Sequence, residues 1–411
     1  MVTAAVRYKE SAADTASWNF SSACGRLSLD ADLKMLLAMP HRELSMQLPL
    51  RMEDGRLRVF RAARLLHSNA RGPAAGTLRF KTGANAELAF ALASIATWTA
   101  AVVNVPFGGA SGVIDCDSAT LSEREYELLL RRFAARSTVV LGPYQDVAIA
   151  SNEKDAALLL DEYSSIHGLT PACVAGKGPQ QGGVMNTSKA QPRAAALVLR
   201  EVAQYFGRDL QDLHVAIYAA PDTYADYLAE FTSIGCTVIA LSDGRRTAVD
   251  ESGLTSHGIA QAKQLHGELS SVPNSGDSDL GAACDVLVLA SSECTVNAAS
   301  AARVRASIVL EATPLGITPS ADVTLKQRHA LVVPDLMAAS GATIAAHAEW
   351  SANLEKKQLH ARDIEAALEK AIPAAVNSVI ERSKKDCGTL RSAAYCLAVE
   401  RVARTERLRG I

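Results

Sequence analysis

Several features that mark particular classes of protein are missing from this sequence of 411 residues. The eight cysteines form no C-x-x-C pair, so we expect buried free thiols in a reducing compartment rather than a disulfide framework. The nine histidines form neither an H-E-x-x-H motif nor a cluster with cysteine, which argues against a metal site. No apolar run reaches the ~18 residues that a membrane span requires, and the N-terminus has no apolar segment typical of a secretion signal. These absences predict a cytoplasmic protein that binds neither a metal nor a membrane.

A large charge of one sign is also missing. The 42 basic and 44 acidic residues leave a formal net charge of −2, which gives no long-range field that would attract nucleic acid. Neither a P-loop nor a G-x-S-x-G motif occurs. The sequence instead has 48% hydrophobic and 21% charged residues, the balance of a folded protein, and its length predicts two or three domains.

The first half of the chain contains clear helix signals. A helix is predicted from about 85 to 101, with Asn85 as its N-cap. Ser122 and Glu125 have the spacing of a capping box and predict the start of another helix. The apolar stretch 134–141 has the composition of a strand.

The second half has a different pattern. Residues 168–190 are rich in Gly, Pro, Ser and Gln, and we predict a hinge there. Helix and strand signals then alternate, which predicts a parallel, doubly wound sheet of the α/β class. The predicted strands are 214–220, 237–241, 286–290, 307–311 and 330–333. Asp222 is the predicted N-cap of the helix that follows the first of these strands. The chain is helical again from about 345 to 411.

Three blocks carry a resemblance to a known family. They read ARGPAAGTLRF at 70–80, TWT at 97–99 and PFGGASG at 106–112. They resemble the ARGPxKGGxRFHP, TWK and PFGGAKGG blocks of the glutamate dehydrogenases, within the Glu/Leu/Phe/Val dehydrogenase family. Shorter matches extend the resemblance from about residue 45 to the C-terminus. They are Asp161-Glu162-Tyr163, Ser242-Asp243, Val333-Pro334-Asp335 and Glu349-Trp350.

The resemblance implies a two-domain α/β fold. Residues 1–185 and 346–411 would form an N-terminal α/β domain for oligomerisation and substrate binding, completed by C-terminal helices that return to it. Residues 186–345 would form a Rossmann-like domain. The family also implies a hexamer or a smaller assembly built through the first domain.

The resemblance further implies that reactive groups of the family are replaced. Its two substrate-binding lysines fall on Ala75 and Thr99, and its catalytic lysine falls on Ser111. Its catalytic aspartate falls on Ser151, and a serine that contacts the substrate falls on Ala346. A serine hydroxyl has a pKa far above 7 and needs an activating base, which the neighbouring sequence does not supply. The retained glycines of these blocks are better explained by backbone turns than by chemistry.

The cofactor motif is changed in the same way. The family's GFGNVG falls on Ala219, Pro221, Tyr224 and the residues between them, so every glycine is replaced. Glycine normally lets backbone amides approach a pyrophosphate. Gln191 lies in a segment that corresponds to a nicotinamide-contacting ATGRG. Asp243 either meets a ribose or belongs to a strand-end turn. We therefore expect no cofactor, or NAD or NADP if one is retained.

These patterns lead to one hypothesis and two alternatives. The hypothesis is a non-catalytic glutamate dehydrogenase homologue that acts as a regulatory or structural subunit and co-assembles with an active paralogue. One alternative is an active NAD(P)-dependent amino-acid dehydrogenase with an altered substrate. The other is a small-molecule sensor that uses the altered cleft.

Overall fold

The chain folds around two β-sheets. The computed structural model describes residues 10–185, 187–256, 258, 259, 269, 276, 277 and 280–410. Within that part of the chain, no helix is long and apolar enough to cross a membrane.

The first sheet has six strands. They are β1 (Arg42–Arg51), β2 (Leu57–Ser68), β3 (Ala74–Phe80), β4 (Gly108–Ile114), β5 (Asp146–Ile149) and β6 (Val174–Ala175). Their order across the sheet is β1-β2-β4-β3-β5-β6. Strands β1, β2 and β4 pair antiparallel, whereas β4, β3, β5 and β6 run parallel. Because parallel strands of one sheet need a crossover connection, helices connect β3 to β4 and β4 to β5.

Five helices accompany this sheet. They are α1 (Ala12–Arg26), α2 (Ala31–Leu37), α3 (Ala86–Val102), α4 (Glu123–Ser137) and α5 (Glu153–His167). Helix α3 is almost entirely buried, and its many alanines let neighbouring elements approach it closely. The predicted N-cap is confirmed, since the Asn85 side chain accepts a hydrogen bond from Leu88 N at 3.0 Å. The predicted capping box of Ser122 and Glu125 is also confirmed.

The strand predicted at 134–141 is wrong. Helix α4 continues to Ser137, and the chain then turns, with Val140 N and Leu141 N both donating to Ser137 O. Phe133 and Ala134 are buried on the same helix face as Leu130. Their apolar character therefore reflects helical periodicity rather than a buried strand.

The second sheet has seven strands. They are β7 (His214–Ala219), β8 (Thr237–Ser242), β9 (Arg246–Val249), β10 (Gly276–Asp277), β11 (Val286–Ala290), β12 (Ile308–Glu311) and β13 (Leu331–Val333). Their order is β10-β9-β8-β7-β11-β12-β13, and β8, β7, β11, β12 and β13 run parallel. The described helices of this part are α6 (Ala190–Tyr205), α7 (Tyr224–Ser233), α8 (Ala298–Ala301), α9 (Pro319–Gln327) and α10 (Asp335–Ala338). The predicted doubly wound α/β sheet is confirmed.

Asp222 does not cap α7, contrary to the prediction. The N-cap is Thr223, whose side chain makes no capping hydrogen bond, and Asp222 is exposed. Thr223 N and Tyr224 N both donate to Ala220 O, so a turn after β7 moves the start of the helix one residue further along the chain.

Three helices end the described chain, and the first and last of them return to helix α3 beside the first sheet, as the resemblance implied. They are α11 (Gly341–Leu354), α12 (Ala361–Arg382) and α13 (Leu390–Leu408). The Nη1 atom of Arg401 donates to Ala101 O at 2.7 Å and to Val102 O at 2.9 Å, which satisfies carbonyls at the C-terminal end of α3. The domain boundaries at 185/186 and 345/346 stay predictions.

Candidate functional site

A cavity of about 260 Å³ lies in the cleft between the two halves of the fold. Strands β3 and β4 and helix α3 form one wall. The other wall consists of the first residues of α6, α7 and α11, the last residue of β11 and the loop that follows β12. Doubly wound folds bind ligands outside the carboxyl ends of their parallel strands, and this cavity occupies that position in the second sheet.

Three of the predicted positions share the first wall. Ala75 comes from β3, Thr99 from α3 and Ser111 from β4, and each of these residues is at most 3% exposed. The Oγ atom of Ser111 is buried and has no hydrogen-bond partner. The structure therefore brings together the three positions that the resemblance assigned to lysines.

Close backbone packing explains the glycines of this wall. A Cβ atom on Gly76 would lie 1.6 Å from Ala110 O, and one on Gly109 would lie 2.2 Å from Thr97 N. No side chain fits at these distances. The sequence predicted that these glycines shape backbone turns, but Gly76 and Gly109 lie within β3 and β4 and instead permit close approach of neighbouring backbone.

The cavity wall carries little charge. Of the described residues that line it, the ionisable ones are Arg79 and Tyr227. Arg79 is paired with Glu293. The Tyr227 hydroxyl lies 3.4 Å from Ala312 O, and burial raises its pKa. A carboxylate in this cavity would have to give up its hydration without meeting a lysine from the described walls.

An ion-pair cluster closes the cleft beside the cavity, and we call it the latch. It consists of Arg79 and Lys81, at the end of β3, and Glu293, which follows β11. The Nζ atom of Lys81 lies 2.7 Å from Glu293 Oε2, and the Glu293 side chain is 3% exposed. Sequence reasoning missed the latch because its members are separated by more than 200 residues and no local motif marks Glu293.

Gln191 lines the cavity, but its amide is already engaged. Its Nε2 atom donates to Ala338 O at 2.8 Å and to Ala312 O at 3.3 Å. Its Oε1 atom accepts from Gly341 N at 2.9 Å. Gln191 therefore holds the start of α6 against the loop after β12 and the start of α11.

Two predicted positions lie outside the lining of the cavity. Ser151 is exposed just before α5, and Ala346 is buried within α11. Neither is brought together with Ser111 in the cavity wall.

The positions of the altered cofactor motif surround the turn after β7. Ala219 is buried at the end of the strand, and Tyr224 is 1% exposed at the first position of α7. Pro221, between them, is exposed. The bulk of Tyr224 thus fills space next to the start of α7, where a dinucleotide fold places a glycine.

Asp243 is part of the turn after β8. Its Oδ1 atom accepts hydrogen bonds from Arg245 N and Arg246 N, both at 2.8 Å. The Ser242 hydroxyl donates to Arg246 O at 2.9 Å across the same turn. Of the two interpretations open from the sequence, this geometry favours the strand-end turn.

A buried ion pair lies in the segment that the sequence predicted as a hinge. The side chains of Lys177 and Glu349 are 0% and 1% exposed, and Lys177 Nζ lies 2.5 Å from Glu349 Oε1. Glu349 also accepts hydrogen bonds from Gly176 N and Lys177 N. Among the residues that the structure describes, no group of three or more His, Cys, Asp or Glu could hold a metal ion.

Comparison with known proteins gives consistent matches over both halves. The model of the Glu/Leu/Phe/Val dehydrogenase dimerisation domain matches residues 40–165. The model of the glutamate/leucine/phenylalanine/valine dehydrogenases matches residues 182–410. A glutamate dehydrogenase of Thermotoga maritima is 33% identical over 95% of this chain and 96% of its own length. Glutamate dehydrogenase B of Halobacterium salinarum is 32% identical over 98% and 96%.

Solved structures of similar fold include a chain of the hetero-hexameric glutamate dehydrogenase of Thermus thermophilus in its leucine-bound form. It is 30% identical, with a TM-score of 0.90, and the match covers 97% of this chain and 98% of that one. The glutamate dehydrogenase of Peptoniphilus asaccharolyticus is 26% identical, with a TM-score of 0.82 over 98% and 100% of the two chains.

Proposed function

This chain belongs to the Glu/Leu/Phe/Val dehydrogenase family, and we propose that it is a non-catalytic, glutamate dehydrogenase-like subunit that co-assembles with an active paralogue. In this proposal Ala75, Thr99, Ser111, Ser151 and Ala346 are vestigial substrate and catalytic positions. The chain would act in the cytoplasm beside its partner.

One observation carries the proposal. Ala75, Thr99 and Ser111 line a single cavity whose described walls contain no lysine, aspartate or glutamate. Charge-assisted hydrogen bonds are worth roughly 1.5–3 kcal/mol each. Losing several of them together would weaken dicarboxylate binding on the order of 10³-fold or more, at about 1.4 kcal/mol per factor of ten.

Ser111 is also a poor replacement for the family's catalytic lysine. An activated serine nucleophile needs a hydrogen-bonded base, and no described side chain makes a hydrogen bond to Ser111 Oγ. On the cofactor side, we propose Ala219, Pro221, Tyr224 and Gln191 as vestigial positions. The bulk of Tyr224, the engaged amide of Gln191 and the engaged carboxylate of Asp243 support the absence of a required dinucleotide.

Co-assembly is supported by the parts of the fold that are kept. The first sheet, its glycine-dependent packing and the returning C-terminal helices are intact. A relative of 30% identity is a chain of a hetero-hexameric glutamate dehydrogenase. A subunit that keeps the assembly framework without reactive groups would contribute contacts and regulation rather than turnover.

Turnover by the isolated chain tests the non-catalytic part of the proposal. We expect no reduction of NAD or NADP with glutamate or neutral amino acids at high protein concentration, while a lysine-bearing paralogue in the same assay is active. Turnover that is abolished by Ser111→Ala or Ser151→Ala would instead establish an active dehydrogenase with an altered substrate.

A further inference from the structure

We propose that the cleft cavity is a binding site for a small uncharged molecule, namely an amide or alcohol with an apolar body. This inference goes beyond the proposed function because it does not depend on a partner subunit. It concerns what the altered cleft still binds.

The size of the cavity limits the ligand. A volume of about 260 Å³ corresponds to roughly nine water-sized groups at about 30 Å³ each. This is smaller than the roughly 300–1,000 Å³ of sites for drug-sized molecules. A compact molecule of roughly ten non-hydrogen atoms fits these limits.

The lining selects a molecule with an apolar body. Leu92, Ile95 and Ile149 contribute aliphatic surface on the side of the first sheet. Ala312 and Pro314 contribute apolar surface on the opposite side. Such surface favours a ligand body that is removed from water on binding.

The hydroxyl groups in the lining favour a ligand that carries one polar group on its apolar body. Thr99 and Ser111 lie on one wall, and Thr313 and Thr343 lie on the other. Ser111 is 1% exposed, and its Oγ atom has no hydrogen-bond partner. A buried hydroxyl without a partner is unfavourable, so a ligand atom that donates to it or accepts from it gains a hydrogen bond that the empty cavity lacks.

Charge excludes the family's ordinary acidic ligands from this site. Arg79 is the one cationic side chain among the described lining residues, and its Nη1 atom already donates a hydrogen bond to Glu293. A carboxylate placed in the cavity would therefore lose its hydration and compete with Glu293 for that cation. An amide of the same shape has no such cost.

Matched pairs of amides and carboxylates test the inference on the full-length protein. The probes are cyclopentanecarboxamide against cyclopentanecarboxylate, and benzamide against benzoate. Binding is measured by saturation-transfer NMR and by the shift in melting temperature. We expect at least one amide to bind, and to bind at least tenfold more tightly than its carboxylate. If neither amide binds, or if the carboxylates bind as tightly as the amides, the inference is overturned.

Substitutions in the cavity wall test whether the amides bind in the cleft. Thr99→Lys introduces a cation and should reverse the preference within each pair. Ser111→Val and the smaller change Ser111→Ala should weaken amide binding, at least tenfold for valine, which also fills space.

Ser137→Ala is the matched control, because Ser137 is 0% exposed and its Oγ atom also lacks a partner, but it lies outside the cavity. An equal loss in Ser137→Ala would contradict the assigned site. The wild-type comparison needs no variant to fold, and its failure would leave the turnover and co-assembly tests unaffected.

Discussion

Lys177 and Glu349 form an ion pair across 172 residues of sequence, with Lys177 Nζ 2.5 Å from Glu349 Oε1 and both side chains at most 1% exposed. The pair joins the glycine-rich segment 176–183 to α11. Glu349 in addition accepts hydrogen bonds from the backbone N–H groups of Gly176 and Lys177, so one carboxylate fixes the path of this segment. These contacts explain how the segment keeps a defined path despite its glycines.

Removing one member of this pair should be strongly destabilising. Lys177→Met leaves a buried carboxylate without its cation, and we expect a loss of about 3–5 kcal/mol in the free energy of unfolding. Adding Glu349→Gln should recover part of that loss, because the amide oxygen still accepts from the backbone and carries no charge. Denaturant titration measures both values.

The control for this pair is an exposed one. Lys154 pairs with Glu123 on the surface, where the side chains are 48% and 83% exposed. Lys154→Met should cost less than about 1 kcal/mol. Equal losses for Lys177→Met and Lys154→Met would show that burial of the Lys177–Glu349 pair is unimportant.

The latch should control closure of the cleft. Glu293→Gln removes the negative charge with which both Arg79 and Lys81 pair, and we therefore expect a more open cleft. Small-angle X-ray scattering should then show a larger radius of gyration, and hydrogen exchange should increase in β3. Glu127→Gln, which weakens an exposed contact with Arg131, is the control. An unchanged scattering profile in Glu293→Gln would rule out the latch as the element that holds the cleft closed.

His67 should make stability depend on pH. Its ring is 3% exposed, with Nδ1 2.9 Å from Thr97 Oγ1 and Nε2 2.9 Å from Leu37 O. Burial lowers the pKa of His67 from 6.5 to about 4. The unfolded chain therefore binds more protons between these values, so stability falls as the pH drops from about 6.5 towards 4.

The expected size of this effect is about 2 kcal/mol between pH 7 and pH 5. Thermal and denaturant unfolding at both pH values should show that loss in the wild type and a smaller one in His67→Gln. The difference between the two proteins isolates His67 from other titrating groups. The same pH dependence in both would mean that His67 does not carry the effect.

Gly109→Ala should be severely destabilising. The added Cβ would meet Thr97 N at 2.2 Å and Ala93 O at 2.3 Å, both backbone atoms that cannot rotate away. We expect a loss of more than about 3 kcal/mol, because overpacking and backbone displacement act together. Gly25→Ala is the matched control, since nothing lies within 4 Å of its added Cβ. In helix α1 it should be neutral or stabilising by up to about 1 kcal/mol. A stable, soluble Gly109→Ala protein would contradict the close packing of β4 on α3.

Local signals predicted local structure well. The cap at Asn85 and the capping box at Ser122 depend on residues three positions apart, and both are present. The prediction for Asp222 failed because a turn from Ala220 shifted the start of α7, which the sequence does not reveal. The strand predicted at 134–141 failed because a short apolar run fits a buried helix face equally well.

From the sequence, only those site residues that lie in recognisable motifs could be predicted. The blocks at 70–80, 97–99 and 106–112 place Ala75, Thr99 and Ser111, and the structure brings them into one wall. The latch at Glu293 and the engaged amide of Gln191 depend on contacts between residues more than 120 positions apart. These contacts cannot be predicted from local sequence, because their members come together only in the folded chain.

Co-assembly is tested most directly by the native mass of the oligomer that is recovered when this chain, carrying an affinity tag, is purified from its own cell. We expect a mixed oligomer that contains both this chain and a lysine-bearing glutamate dehydrogenase paralogue. Recovery of a homo-oligomer or of a single chain would contradict the proposed co-assembly.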